Sequence, residues 1–238
     1  MMLLYRSMII AFLAGVAFNL QAQQTFVIST FYASPLMQVC SEVMIRAYKK
    51  LGIEIKIVSF SGERSLATSN KGKVDGELFR NDQIAKRYTN LIMVPIPIAQ
   101  VDIVAFTKHK QFTVNGWSSL KPFLIGVEIG FKRLENKTKG MNTQTATRVE
   151  QLFKMLNLGR VDVVPQVRMD GLNALKQLNI KGVKMLEPPL FKGLVYHYLH
   201  KKHLALLPKL SAVLKQMEKS GELKTIKDNK ILELKQAQ

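Results

Sequence analysis

"GKVDGELFRNDQIAKR", residues 72–87, sets a helix-stopping glycine before a Val-Asp pair and then adds Arg80, Lys86 and Arg87. Gly72 suits the left-handed conformation that ends a helix. Val74 enters a strand, and Asp75 offers its carboxylate to backbone amides at the strand entry. The same punctuation returns at Gly159-Arg160-Val161-Asp162. In each copy a helix, a glycine, a cation, Val and Asp lead into a strand, which predicts two similar α/β units.

The segments around these turns agree with that reading. "TFVIST" (25–30) is β-rich, and Ser34 and Pro35 open a helix that Gly52 stops. Leu36, Val39, Cys40, Val43, Ala47 and Leu51 recur at helical spacing. Ile53, Ile55 and Ile57 alternate as in a strand, residues 61–72 read as a second helix, and 73–79 as a third strand. In the second unit Thr147 and Glu150 have capping-box spacing ahead of Leu152, Phe153 and Leu156. The extended apolar stretches 94–110 and 185–202 suit two crossings between the units. Leu210, Val213, Leu214 and Met217 mark an amphipathic helix that stops at Gly221. Strands alternating with helices predict mostly parallel sheets flanked by helices.

Residues 1–22 carry one cation, Arg6, then an apolar run from Met8 to Phe18. That run is shorter than the ~20 residues a membrane span needs, and it suits a signal peptide cleaved after Ala22. Cys40 is the only cysteine, which rules out an intramolecular disulfide scaffold. Export without disulfides points to a bacterial periplasm. The net charge of +18 would suggest nucleic acid in a cytosolic chain. Here export removes that partner, leaving either a basic solvated surface or a field that attracts an anionic solute.

With its signal segment, the "GKVDGEL" and "GRVDVV" turns, the crossing stretch near 100–107 and the C-terminal "LVYHYLHKKH…LPKL…MEKSGELKTI", the chain resembles bacterial periplasmic solute-binding proteins of family 3, the polar amino-acid type. The resemblance spans the mature chain. It implies a two-lobed flytrap fold: signal 1–22, lobe one from 23–106, lobe two from 107–187, and a return strand with C-terminal helices on lobe one from 188–238. It implies a monomer that binds a small carboxylate-bearing solute for an inner-membrane ABC permease, without cofactor or metal. A periplasmic sensor subunit shares the same site. An enzyme of the dehydratase type would need a cleft acid, for which Glu77 is the candidate.

The resemblance also places site residues. An ungapped count from the Val-Asp pair puts Arg87 at the family's carboxylate-gripping arginine, with Arg80 as a second cation and Glu77 nearby; a pair of solvated arginines is the alternative. A guanidinium suits a carboxylate because it offers two parallel donors. Phe31 and Tyr32 are candidates to stack on the ligand, and Arg64 follows the second strand. Where the family has an ammonium-binding aspartate this chain has Val167, preceded by Gln166 and followed by Asp170. Glu77 or Asp170 would have to substitute, or Lys132 at a helix start would favour an anion. The histidines in "HYLHKKH" have a metal-like spacing, but no cysteine or carboxylate accompanies them.

Overall fold

The computed structural model describes residues 25–31 and 34–235, so the signal segment and Tyr32 lie outside the described residues. The first unit contributes β1 (Thr25–Thr30), α1 (Pro35–Lys49), β2 (Glu54–Ser59), α2 (Gly62–Asn70) and β3 (Gly76–Arg80). The long β4 (Leu91–Thr107) leads into β5 (Ile125–Glu128), α3 (Lys132–Lys137), β6 (Thr143–Ala146), α4 (Val149–Asn157), β7 (Val163–Val167) and α5 (Arg168–Gln177). The equally long β8 (Lys184–His200) returns, and α6 (Leu207–Lys219) and α7 (Glu222–Lys235) close the chain.

The strand order is β2-β1-β3-β8-β4-β7-β5-β6. Each flank is parallel, β1 with β2 and β3 on one side, β5 with β6 and β7 on the other. The centre is antiparallel: β4 and β8 pair from Leu91↔His200 to Thr107↔Lys184. The two crossing segments read from the sequence are these strands. Because β3 also pairs with β8 and β7 with β4, one hydrogen-bond ladder runs through both halves instead of stopping at the hinge.

The repeated Val-Asp turns do the same work twice. Asp75 accepts from the Val27 amide at 2.8 Å and donates its own amide to the Val27 carbonyl. Asp162 accepts from the Leu124 amide at 3.0 Å and donates to the Leu124 carbonyl. Each aspartate therefore pins the entry of β3 or β7 to the neighbouring first strand of its unit. Gly72 and Gly159 have φ of 70° and 69°, as helix-ending glycines require.

Helix starts differ between the units. Ser34 caps α1, its Oγ accepting from the Met37 amide at 3.1 Å. The capping box expected at Thr147 and Glu150 does not form, because Arg148 takes the cap position and the Thr147 hydroxyl turns to Gln151. Helix α7, which the sequence assigns to lobe one, packs against both α1 and α5. Glu222 pairs with Arg46 and Lys50 of α1, and Glu233 with Lys176 of α5.

Behind β3 the first core encloses Tyr48 and His197, both fully buried. His197 Nδ1 faces the Leu78 carbonyl at 3.2 Å, so it carries the proton, and Nε2 accepts from the Tyr48 hydroxyl at 2.9 Å. Burial drives His197 down to about 4, against the opposing backbone contacts at Leu78 and Glu77. The same burial raises the Tyr48 hydroxyl and the Cys40 thiol, leaving Cys40 a small core residue.

An unfolded histidine titrates near 6.5. The stability tied to neutral His197 is therefore complete above that pH and is lost as the pH falls toward about 4. The full loss is about 3 kcal/mol. Urea unfolding between pH 7.5 and 4.5 should show this decline, and His197→Phe should flatten it. An equal slope in the variant would place the titrating group elsewhere.

Candidate functional site

Parallel strands end at a common edge, and in open α/β sheets ligands sit beyond the carboxyl ends. The ends of β1 and β3 here face those of β5 and β7 across a cleft of about 520 Å³. Phe31, Leu36, Phe79 and Arg80 line it from the first half. Glu128, Phe131, Arg133 and Val167 line it from the second. Val101 and Ile103 of β4 and Phe191 and Leu194 of β8 form the hinge wall.

Arg80 is the anchored cation. In a regular strand Glu77 and Arg80, three apart, would point to opposite faces. The β3–β8 register shifts between these two residues, and that irregularity brings both onto one side. Arg80 Nε and Nη2 each reach Glu77 Oε1 at 2.7 Å, Nη2 also donates to the Gly62 carbonyl at 3.0 Å, and the guanidinium lies 4.0 Å over the Phe31 ring. Glu77 Oε2 accepts from Ser29 and Ser65, both at 2.6 Å, and from Ser69 at 3.3 Å. Expected as a ligand contact or cleft acid, Glu77 is instead fully buried behind Arg80, with both oxygens in use.

Arg87 does not reach the cleft. It ends a short 3-10 turn at Ile84–Lys86, its side chain is 73% exposed, and it pairs with the equally exposed Glu63 at 3.3 Å. The family count fails because β3 stops at Arg80 and the chain turns away. Arg64 is exposed and sits 5.4 Å over the Phe60 ring, outside the cleft lining.

In the second half Lys132 points outward to Glu135 at 2.7 Å. Glu135 also accepts from the Gly130 amide at 2.7 Å, so the start of α3 already carries a carboxylate and Lys132 has no anion site to serve. Its neighbour Arg133 turns inward instead, 3.8 Å over the Phe191 ring. Gly193 makes room for that ring, since a Cβ there would come within 2.5 Å of it.

Gln166, expected to touch ligand, is buried one layer back. Its Oε1 accepts from the Val167 amide at 2.7 Å and its Nε2 donates to Glu128 Oε2 at 2.9 Å. Glu128 thus lies in the cleft at a fixed angle. Burial raises its carboxyl above the ordinary range, the Gln166 bond offsets part of this, and the Glu150 charge adds to the rise. Asp170 is buried in the first turn of α5 and is not part of the cleft lining. The residues that sequence reasoning missed are Glu128 and Arg133, although "VEIGFKR" does place an acid and a base around a strand end.

The "HYLHKKH" histidines diverge. His197 faces Tyr48, His200 packs on Gly72, and His203 reaches Asp75 at 2.7 Å. Among the described residues no group of His, Cys, Asp or Glu is arranged to hold a metal ion, and no helix is long and apolar enough to cross a membrane.

No family model matches the chain. An uncharacterized protein of Shewanella oneidensis is 25% identical over 192 residues, 75% of this chain and 70% of that one. Among solved structures, an ancestral arginine-binding protein bound to arginine matches with a TM-score of 0.65 at 20% identity, over 86% of this chain and 97% of that one. The substrate-binding protein of an amino acid ABC transporter matches at 0.62 and 19%, over 87% and 98%. A histidine kinase sensor domain with similarity to periplasmic binding proteins matches at 0.68 and 12%, over 88% and 96%. The likeness is one of fold: the chain has the two-lobed periplasmic-binding-protein fold.

The buried Glu77–Arg80 pair and the exposed Glu63–Arg87 pair should separate in unfolding experiments. Removing one partner of a buried ion pair costs about 3–5 kcal/mol. Glu77→Ala should show a loss of that order in urea unfolding, whereas Arg87→Ala should leave the midpoint nearly unchanged because exposed pairs contribute little. Equal effects would contradict the burial assigned to the Glu77–Arg80 pair.

Proposed function

We propose that this chain is exported to the periplasm and binds a small carboxylate-bearing solute in the cleft, for delivery to an ABC-type importer. The observation that carries this reading is the pair of guanidinium groups, Arg80 from one half and Arg133 from the other, each laid on an aromatic ring in a largely apolar cleft. Stacking holds a guanidinium flat and leaves its edge donors for a planar anion. Arg80 spends Nε and Nη2 on Glu77 and Gly62, which leaves Nη1 for a ligand. Arg133 makes no ion pair among the described residues. A carboxylate held from both sides would draw the halves together about β4 and β8, as in hinge closure.

Likeness to amino-acid-binding proteins supports a binding role. A dehydratase using Glu77 would need that carboxyl in the cleft, and Arg80 and three serines occupy it instead. Likeness to the kinase sensor domain favours a second reading, in which the same cleft feeds a sensor. The two differ in partner and share the site.

A thermal-shift screen of amino acids, dicarboxylates and other small anions should find ligands, because binding to the native state alone raises the melting temperature. For a ligand so found, Arg133→Ala should weaken binding roughly ten- to a hundredfold, the worth of a charged hydrogen bond. Arg87→Ala should leave affinity unchanged. Loss of affinity in Arg87→Ala but not in Arg133→Ala would move the site out of the cleft.

A further inference from the structure

Glu128 stands in the same cleft as Arg80 and Arg133 yet pairs with neither, and it is the one carboxylate among the described residues of the lining. Its orientation is built in. The Val167 amide fixes the Gln166 amide group, so Gln166 must present its nitrogen to Glu128 Oε2. No described residue bonds Glu128 Oε1. A half-buried acid and a stacked, unpaired arginine share one cavity, each lacking a counter-charge. A simple anion would satisfy the arginines but would be repelled by Glu128, whereas a zwitterion satisfies both ends.

The rest of the lining sets the body of that zwitterion. Phe31, Phe79, Phe131, Val167 and Leu194 offer apolar surface and no second acid. A ligand with two cationic groups would leave one of them unpaired in a largely apolar cavity, at a cost. Resting on the binding role proposed above, we infer that Glu128, oriented by Gln166, receives the ammonium group of an α-amino acid whose side chain is apolar or aromatic. Glu128 then supplies, from the end of β5, the acid that the sequence lacks at Val167, and Gln166 acts as a positioning residue.

Isothermal titration at pH 7.5 tests this with six probes: L-phenylalanine, L-leucine, their des-amino counterparts 3-phenylpropionate and 4-methylpentanoate, L-arginine and glutarate. L-phenylalanine or L-leucine should bind at least about tenfold more tightly than its des-amino counterpart and than L-arginine, the expected worth of a charged hydrogen bond. Glu128→Gln should erase that preference, weakening the amino acid roughly ten- to a hundredfold while leaving the des-amino acid unchanged or tighter. Gln166→Leu, which keeps the carboxylate but frees it, should lose part of the preference. A unchanged circular-dichroism spectrum and melting temperature would show that both variants fold. If the carboxylates without nitrogen bind as tightly as the amino acids, or Glu128→Gln keeps the preference, the assignment of Glu128 is overturned and the carboxylate-binding role stands. If L-arginine binds most tightly, the apolar side chain is overturned. If none of the six binds, both the assignment and the carboxylate-binding role are overturned.

Discussion

Glu77 carries a carboxylate into an interior with no solvent contact, where an unpaired charge would cost several kcal/mol. The fold tolerates it because donors converge from three elements: Ser29 on β1, Ser65 and Ser69 on α2, and Arg80 on its own strand. The contact is possible only because the β3–β8 register slips between residues 77 and 80. Once made, it fixes Arg80 over the Phe31 ring at the lip of the first half. The position of a cation in the cleft is thus decided by a pair whose other member no ligand can reach.

The second half solves the same problem differently. Its turn, helix and strand repeat those of the first, down to the aspartate that ties each third strand to its neighbour. At the cleft edge the resemblance stops: a neutral amide, Gln166, holds an acid, and a cation stacks on the hinge strand. The halves are joined by β4 and β8 in front and by α7 behind. Asp102 on β4 meets Arg168 at the start of α5 and Lys227 of α7, so the back of the hinge carries charge while its cleft side, at Val101 and Ile103, is apolar.

Much of this fold was legible. Ser34, Gly52, Gly72 and Gly159 mark helix ends by local backbone chemistry, which needs no tertiary context. The crossing strands read through because they are long, apolar and interrupted by proline. The site read through less well, for identifiable reasons. Strand alternation separates Glu77 from Arg80, and only a register slip, set by the partner strand, reunites them. Lys132 and Arg133 are adjacent basic residues, and which one enters the cleft depends on Glu135 claiming the former. Gln166 reads from the sequence as a contact, but its role is visible only once Val167 and Glu128 are seen to bind its two ends. Helix α7 carries only a weak apolar stripe, so its place across both halves rests on packing against α1 and α5.

That the cleft cations are Arg80 and Arg133, and not Arg87, can be read atom by atom. Arginine side-chain ¹⁵N–¹H spectra of the protein, assigned by Arg80→Lys, Arg87→Lys and Arg133→Lys substitutions, would be recorded while titrating L-phenylalanine and then glutarate. The Arg80 and Arg133 guanidinium resonances should move together to saturation while Arg87 stays where it is. Movement of Arg87 with Arg80 and Arg133 unperturbed would contradict it.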